Sequence, residues 1–133
     1  MRRFRSDSGV TAVEFALVVP ILILLVLGIV EFGRAYNVQS SLSAAAREGV
    51  RVMAISKNAT AAKAAVKGVG AVNPAVTDSQ ICISSGASSA CTATTCPASS
   101  TVTVTIRYPL KYITGIVPGS PTLTGKGVMR CGG

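Results

Sequence analysis

Few side chains in this 133-residue chain are suited to chemistry, and their spacing does not favour catalysis. The chain has no histidine, the commonest general base in enzymes. Its acidic residues are scattered, so no two form a carboxylate pair for acid–base work: Asp7, Glu14, Glu31, Glu48 and Asp78. No nucleophile motif is present, and Gly125-Lys126-Gly127 is too short for a phosphate-binding loop. We therefore expect no enzymatic activity and no cofactor.

Four cysteines lie in the C-terminal half: Cys82, Cys91, Cys96 and Cys131. A zinc site is not favoured, because no two of them form a C-x-x-C pair and histidine is absent. An even number of cysteines in a small domain instead predicts disulfide bonds, and therefore an oxidising compartment outside the cytosol. Four cysteines allow three pairings. We expect Cys91–Cys96 to close a loop and Cys82–Cys131 to join the first strand to the C-terminus.

A long apolar run near the N-terminus contains one of the acidic residues. The 21 residues from Val10 to Val30 would span about 32 Å as a helix, matching a hydrocarbon core of roughly 30 Å. Three arginines precede the run: Arg2, Arg3 and Arg5. They predict a single-pass protein whose N-terminus is cytoplasmic and whose residues beyond Glu31 lie across the membrane. Glu14 is costly inside such a segment, and we expect it to serve assembly.

Two further features of this segment concern its shape and its retention. Pro20 removes one helical hydrogen bond and is expected to bend the helix. The alternative to a retained anchor is a cleaved secretory signal, since Gly33-Arg34-Ala35 has the small-x-small form of a cleavage site. The apolar run exceeds the usual length of about 7–15 residues, and Glu31 and Arg34 crowd the site. We therefore expect the segment to be retained.

Helical periodicity continues beyond the membrane segment. Small and apolar residues recur three and four positions apart: Leu42, Ala45, Ala46, Gly49, Val50 and Met53. We expect one helix from Val10 to about Ile55, roughly 69 Å long, whose second half packs its apolar stripe against a small domain. Asn58 is a suitable N-cap for a second helix from Ala59 to about Val69.

The period changes to two in the rest of the chain. Three segments read as strands: Gln80–Ile83, Thr101–Tyr108 and Leu123–Arg130. We expect an α+β fold in which about three antiparallel strands cover the long helix. The predicted organisation is a basic leader at 1–9, a membrane segment at 10–31 within a helix to about 56, and an extracytoplasmic disulfide-linked domain at 57–133.

The basic balance of the chain bears on its partners. There are 13 basic and 5 acidic residues, a formal net charge of +8. Such a charge can indicate nucleic acid or an anionic surface. The charges are scattered and three precede the apolar run, which favours membrane orientation and solubility over nucleic-acid binding. We expect Arg47, Glu48 and Arg51 to form a solvated face with local ion pairs, and docking to another subunit is the alternative.

Three stretches of the N-terminal half occur together in a specific combination. They are Gly9 with Val13-Glu14-Phe15-Ala16-Leu17-Val18-Val19-Pro20, then Gly28-Ile29-Val30-Glu31, then Ala45-Ala46-Arg47-Glu48-Gly49-Val50-Arg51. Over residues 9–51 the chain resembles the TadE-like family of pseudopilins, or minor pilins, of the bacterial Tad/Flp pilus system. The resemblance implies a pilin-like fold and a role in assembling an adhesive pilus at the bacterial inner membrane.

The resemblance also implies that the chain is a precursor. A prepilin peptidase would cut between Gly9 and Val10 on the cytoplasmic side, which makes Glu14 the fifth mature residue. The loss of three arginines and Asp7 would lower the formal net charge from +8 to +6. The implied partners are this peptidase, other Tad pilins and pseudopilins, and the inner-membrane assembly platform.

Glu14 and Phe15 are the residues implied to act in assembly. In a filament core, Glu14 would face the new amine of a neighbouring subunit and set the axial register. Alternatively, Glu14 reaches water at the interface, which fits a protein that stays in the inner membrane. Phe15 would contact other helices or lipid, and Glu31 is expected to mark the membrane boundary. The alternative function is a membrane-anchored binding module for DNA or a surface ligand, which clustering of basic residues on one face would favour.

Overall fold

The computed structural model describes residues 7–69, 72–115 and 119–132 and has the predicted α+β fold. Its helices and strands in chain order are α1 (Asp7–Ser56), α2 (Ala59–Val69), β1 (Ile81–Ser85), β2 (Thr101–Pro109) and β3 (Thr122–Arg130). The long helix, the short helix and the three strands are thus confirmed. One turn of 3-10 helix, Asp78–Gln80, leads into β1 and was not predicted. The leader arginines lie outside the described residues: Arg2, Arg3 and Arg5.

The first half of α1 fits a single-pass membrane anchor. The helix is 50 residues long, which corresponds to about 75 Å. Its most apolar 18-residue window has a mean hydropathy of 2.9, and none of that window is buried in the protein. So large an exposed apolar surface is stable only in an apolar environment. The helix continues through Pro20, and the bend expected there stays a prediction.

The three strands form an antiparallel sheet in the order β1-β2-β3. Side chains alternate across it, because successive residues of a strand point to opposite faces. In β2 the inner residues are buried against the helices: Val102, Val104, Ile106 and Tyr108. The threonines between them point outward, as the alternation in the sequence predicts. The sheet therefore has one core-facing side and one polar side.

The second half of α1 lies directly on β3. The predicted helical stripe is buried: Leu42, Ala45, Ala46, Gly49, Val50 and Met53. Two glycines of β3 face it and leave room for the helix backbone. A β-carbon on Gly127 would lie 2.5 Å from the Ala46 carbonyl oxygen, and one on Gly125 would lie 2.6 Å from the Leu42 carbonyl carbon. At Gly125 and Gly127, α1 thus lies so close to β3 that only glycine fits.

The second helix is capped and packed as its sequence predicts. The Asn58 side-chain oxygen accepts hydrogen bonds from the backbone N–H groups of Thr60 (2.8 Å) and Ala61 (3.2 Å). This satisfies two of the N–H groups that the start of a helix leaves unpaired. Val66 is buried against Gly49 of α1. A β-carbon added to Gly49 would clash with a methyl group of Val66.

Among the described residues, two ion pairs lie on the surface, one between α2 and the turn before β1 and one within α1. Lys67 Nζ lies 2.9 Å from an Asp78 carboxylate oxygen, and the hydrogen bond and charge of Lys67 lower the pKa of Asp78. Arg51 lies 3.9 Å from Glu48, which is the local ion pair expected on that face of α1. These side chains are substantially exposed, so each pair contributes little to stability.

The predicted cysteine pairing is wrong. The disulfides join Cys82 to Cys91 and Cys96 to Cys131, with Cα–Cα distances of 4.7 and 5.6 Å. The loop between β1 and β2 makes both bonds possible. Its Ala93 N–H donates to the Ile83 carbonyl, which folds the loop back along β1 and places Cys91 beside Cys82.

Strand order explains why Cys82 cannot reach Cys131. Cys82 lies opposite Thr105, and Thr105 lies opposite Lys126, five residues before Cys131. Two strand spacings and five residue rises separate the two cysteines by about 20 Å. A disulfide needs Cα atoms within about 7 Å. The end of the loop instead meets Cys131, whose N–H donates to the Ser100 carbonyl at 2.8 Å.

Candidate functional site

The residues implied to act in processing and assembly lie together at the start of α1. Gly9, Val10, Val13 and Glu14 line one shallow depression on the helix surface. They share a face because positions three and four apart are neighbours on a helix. Phe15 follows on an adjacent face and is exposed. The Gly9–Val10 bond itself lies in the exposed first turns of α1.

The Glu14 carboxylate has no partner within the described part of the chain. Neither ion pair nor hydrogen bond joins it to residues 7–69, 72–115 or 119–132. It stands on an exposed apolar helix, where an unpaired charge is unfavourable in lipid. A positively charged group from outside the described chain is therefore the chemistry that this position can accept.

A second polar site lies where α1 leaves the apolar run. One oxygen of Glu31 accepts hydrogen bonds from the backbone N–H groups of Ile113 (2.6 Å) and Thr114 (2.9 Å). Its other oxygen is inaccessible to solvent and has no hydrogen-bond partner in the described structure. Glu31 thus holds the segment that follows β2, residues 110–115, which we call the 110–115 loop. From the sequence we expected Glu31 only to mark the membrane boundary, because these partners are more than 80 positions away in the chain.

Two more residues of α1 donate hydrogen bonds to the 110–115 loop and to β3. Arg34 donates a hydrogen bond from Nη1 to the Lys111 carbonyl at 2.6 Å. Gln39 donates from Nε2 to the Thr124 carbonyl of β3 at 2.8 Å. With Glu31, they form a row of polar contacts along one side of α1. The domain is therefore attached to the helix immediately after the apolar run.

The outer face of the sheet carries a polar groove. The groove has a volume of about 480 Å³ and is lined by serines, threonines and the cations Arg107 and Lys126. The other basic residues that the structure describes are spread over several elements. Arg34, Arg47 and Arg51 lie on α1, Lys57 lies between the helices, and Lys63 and Lys67 lie on α2. Lys111 follows β2, and Arg130 alternates with Lys126 along β3 and so lies on the same side of the sheet. No group of three or more His, Cys, Asp or Glu suited to a metal ion occurs among the described residues.

A long exposed apolar helix that continues into a small disulfide-linked domain gives an α+β protein that fits a single-pass membrane anchor. Residues 9–51 match the protein family described as TadE-like protein, which confirms the resemblance seen in the sequence. The match covers about a third of the chain. It ends within α1, so α2 and the sheet lie outside it. No curated protein and no solved structure matches the chain.

Proposed function

We propose that the chain is the precursor of a minor pilin or pseudopilin that supports assembly of an adhesive Tad-type pilus. The observation that carries the proposal is Glu14, a carboxylate without a partner in the described chain, within the segment that matches the family. Cleavage between Gly9 and Val10 would place a new amine one helical turn before Glu14. The chain would then present an acid and a base on the same face of an exposed helix.

The charges explain why cleavage would precede assembly. Before cleavage, the leader arginines hold the helix in the bilayer, since moving a charged side chain through hydrocarbon costs several kcal/mol. After cleavage, the amine of Val10 is charged at neutral pH. Either charge left alone in an apolar bundle would cost about 3–5 kcal/mol. A pair between Glu14 of one subunit and Val10 of the next therefore sets the axial register between them.

The proposed location is the bacterial inner membrane, with the N-terminus in the cytoplasm and the domain outside. The leader arginines support this orientation, and the two disulfides suit an oxidising compartment. Partners would be the prepilin peptidase, other Tad pilins and pseudopilins, and the assembly platform. Cleavage at Gly33-Arg34-Ala35 would separate Glu31 from the 110–115 loop, so the contacts of Glu31 favour a retained helix.

Intact mass of the protein from host membranes tests the cleavage. In cells with the prepilin peptidase we expect loss of Met1–Gly9, and in cells without it we expect the full chain. Gly9→Leu should abolish the loss, because the bulky side chain stands next to the cut bond. Gly33→Leu is the matched control, since nothing lies within 4 Å of Gly33. A leader retained in both strains would contradict the proposal, and loss of about 35 residues would indicate a secretory signal.

Replacement of Glu14 tests its part in assembly. Glu14→Gln removes the charge and leaves the amine of a neighbour unpaired, so the number of pili per cell should fall at least about tenfold. The count is made by electron microscopy in a strain whose only copy of the protein carries the change. Glu48→Gln, outside the membrane segment on the same helix, should leave piliation unchanged. Normal piliation of the Glu14→Gln strain would show that Glu14 does not set the register.

The alternative is a membrane-anchored binding module that does not enter a filament. The groove with Arg107 and Lys126 is the feature that favours it, since hydroxyls and cations suit an anionic or hydroxylated ligand. The spread of the other described cations over both helices, the link between them, β3 and the 110–115 loop does not favour nucleic acid. Retention of the leader in the mass experiment is the result that would favour this alternative.

A further inference from the structure

We propose that the 110–115 loop rests on the outer surface of the membrane, within the phospholipid headgroup layer, with Ile113 pointing toward the acyl chains. The proposal needs only the membrane anchor. It is independent of leader cleavage and of entry into a pilus.

The position of Glu31 places the loop at the height of the membrane surface. Glu31 is the first residue after the apolar run, and side chains of a helix lean toward its N-terminus. That direction is toward the bilayer, because the apolar run precedes Glu31. The Glu31 carboxylate holds the amides of Ile113 and Thr114 at 2.6 and 2.9 Å, so the backbone of the loop lies beside this level.

Exposed apolar side chains gather at the same height. Ile113, whose amide donates to Glu31, is 67% exposed. On α1, Phe32 is 75% exposed and Tyr36 is 71% exposed. Their spacing of four residues puts them on one face, about 6 Å apart along the axis. That distance fits a headgroup layer of about 5–8 Å, where aromatic residues are enriched.

The charges of the loop suit a phospholipid surface. Lys111 is exposed and can extend its ammonium to lipid phosphates. Its carbonyl is held by Arg34, which adds a second cation at this level. The negative charge of Glu31 faces the loop amides, so it does not oppose the phosphates. An apolar tip beside two cations is the chemistry of a segment that binds anionic lipid.

A single introduced tryptophan tests the proposal, because the natural chain contains none. The full-length uncleaved Ile113→Trp protein is placed in vesicles of phosphatidylethanolamine and phosphatidylglycerol, with and without brominated acyl chains. Bromine should reduce its tryptophan emission by about half, because the side chain reaches the acyl boundary. Ile55→Trp is the matched control: Ile55 is 72% exposed, lies on the same helix about 36 Å beyond Glu31, and should not be quenched.

A second variant tests the role of Glu31. Glu31→Ala in the Ile113→Trp background removes the carboxylate that holds the loop, and the quenching should weaken. Circular dichroism, together with a check that both native disulfides have formed, shows whether the domain stays folded. Quenching of Ile113→Trp no greater than that of Ile55→Trp would overturn the proposal. Tryptophan emission that instead changes with the protein-to-lipid ratio would indicate that the 110–115 loop contacts a neighbouring subunit. That result would also overturn the proposal. No peptidase or pilus is involved, so this failure is distinct from failure of the pilin proposal.

Discussion

Replacement of Gly127 by alanine is expected to destabilise the domain by about 2–3 kcal/mol, the upper range for overpacking. The new β-carbon would lie 2.5 Å from the Ala46 carbonyl oxygen and 2.8 Å from its carbonyl carbon. Both are backbone atoms of a long helix, which cannot move aside as the end of a flexible side chain would. Relief requires α1 to lift from β3, and this would open the core that the two elements share.

Urea unfolding of the full chain in detergent micelles, followed by circular dichroism, measures this effect. Gly68→Ala is the control, because Gly68 lies in α2 with nothing within 4 Å of the added β-carbon. Alanine there should be neutral or stabilise by up to about 1 kcal/mol, since it favours helix. A Gly127→Ala protein as stable as the unmodified chain would show that α1 does not rest on β3.

Removal of the Cys96–Cys131 disulfide should have the largest effect on stability. The bond closes a separation of 35 residues, worth about 4 kcal/mol in the chain-entropy model, whereas the Cys82–Cys91 bond spans 9 residues and is worth about 2.5 kcal/mol. Both Cys96 and Cys131 are only 2% exposed, so serine would also bury a hydroxyl at each position. We expect the Cys96→Ser/Cys131→Ser protein to be the less stable double variant.

The same urea measurement ranks the two double variants, and Cys82→Ser/Cys91→Ser is the matched control. Disulfide mapping of a non-reduced digest checks the pairing itself. Elastase is preferable to trypsin, because no lysine or arginine separates Cys82, Cys91 and Cys96. A peptide that links Cys91 to Cys96 would contradict the structure. Equal stability of the two double variants would contradict the dependence on loop length.

Local patterns in the chain predict its two α-helices and three strands. The alternation of threonine with valine and isoleucine predicts β2, which runs from Thr101 to Pro109. Asn58 predicts the start of α2, and its side chain caps that helix. The stripe of small and apolar residues after the membrane segment predicts the buried side of α1. Each of these signals comes from residues that are close together in the chain.

Features that depend on distant neighbours could not be predicted in the same way. The cysteine pairing depends on strand order, since Cys82 lies on an edge strand and Cys131 follows the opposite edge strand. The contact of Glu31 with Ile113 crosses 82 positions, and no local pattern marks it. Gly125 and Gly127 did carry a signal, because two glycines two apart on a strand share one face and permit close approach of another backbone.

Because α1 is one continuous helix from Asp7 to Ser56, the apolar run and the packed half of α1 share one helix. Each residue of α1 turns the chain by about 100° and advances it by about 1.5 Å. The angle around the helix axis between Glu14 and the outer face of the sheet is therefore determined by the count of residues between them. One extra residue would swing the sheet by about 100°, whereas seven would return it to within about 20°. The direction in which Glu14 points therefore determines the direction in which the outer face of the sheet points.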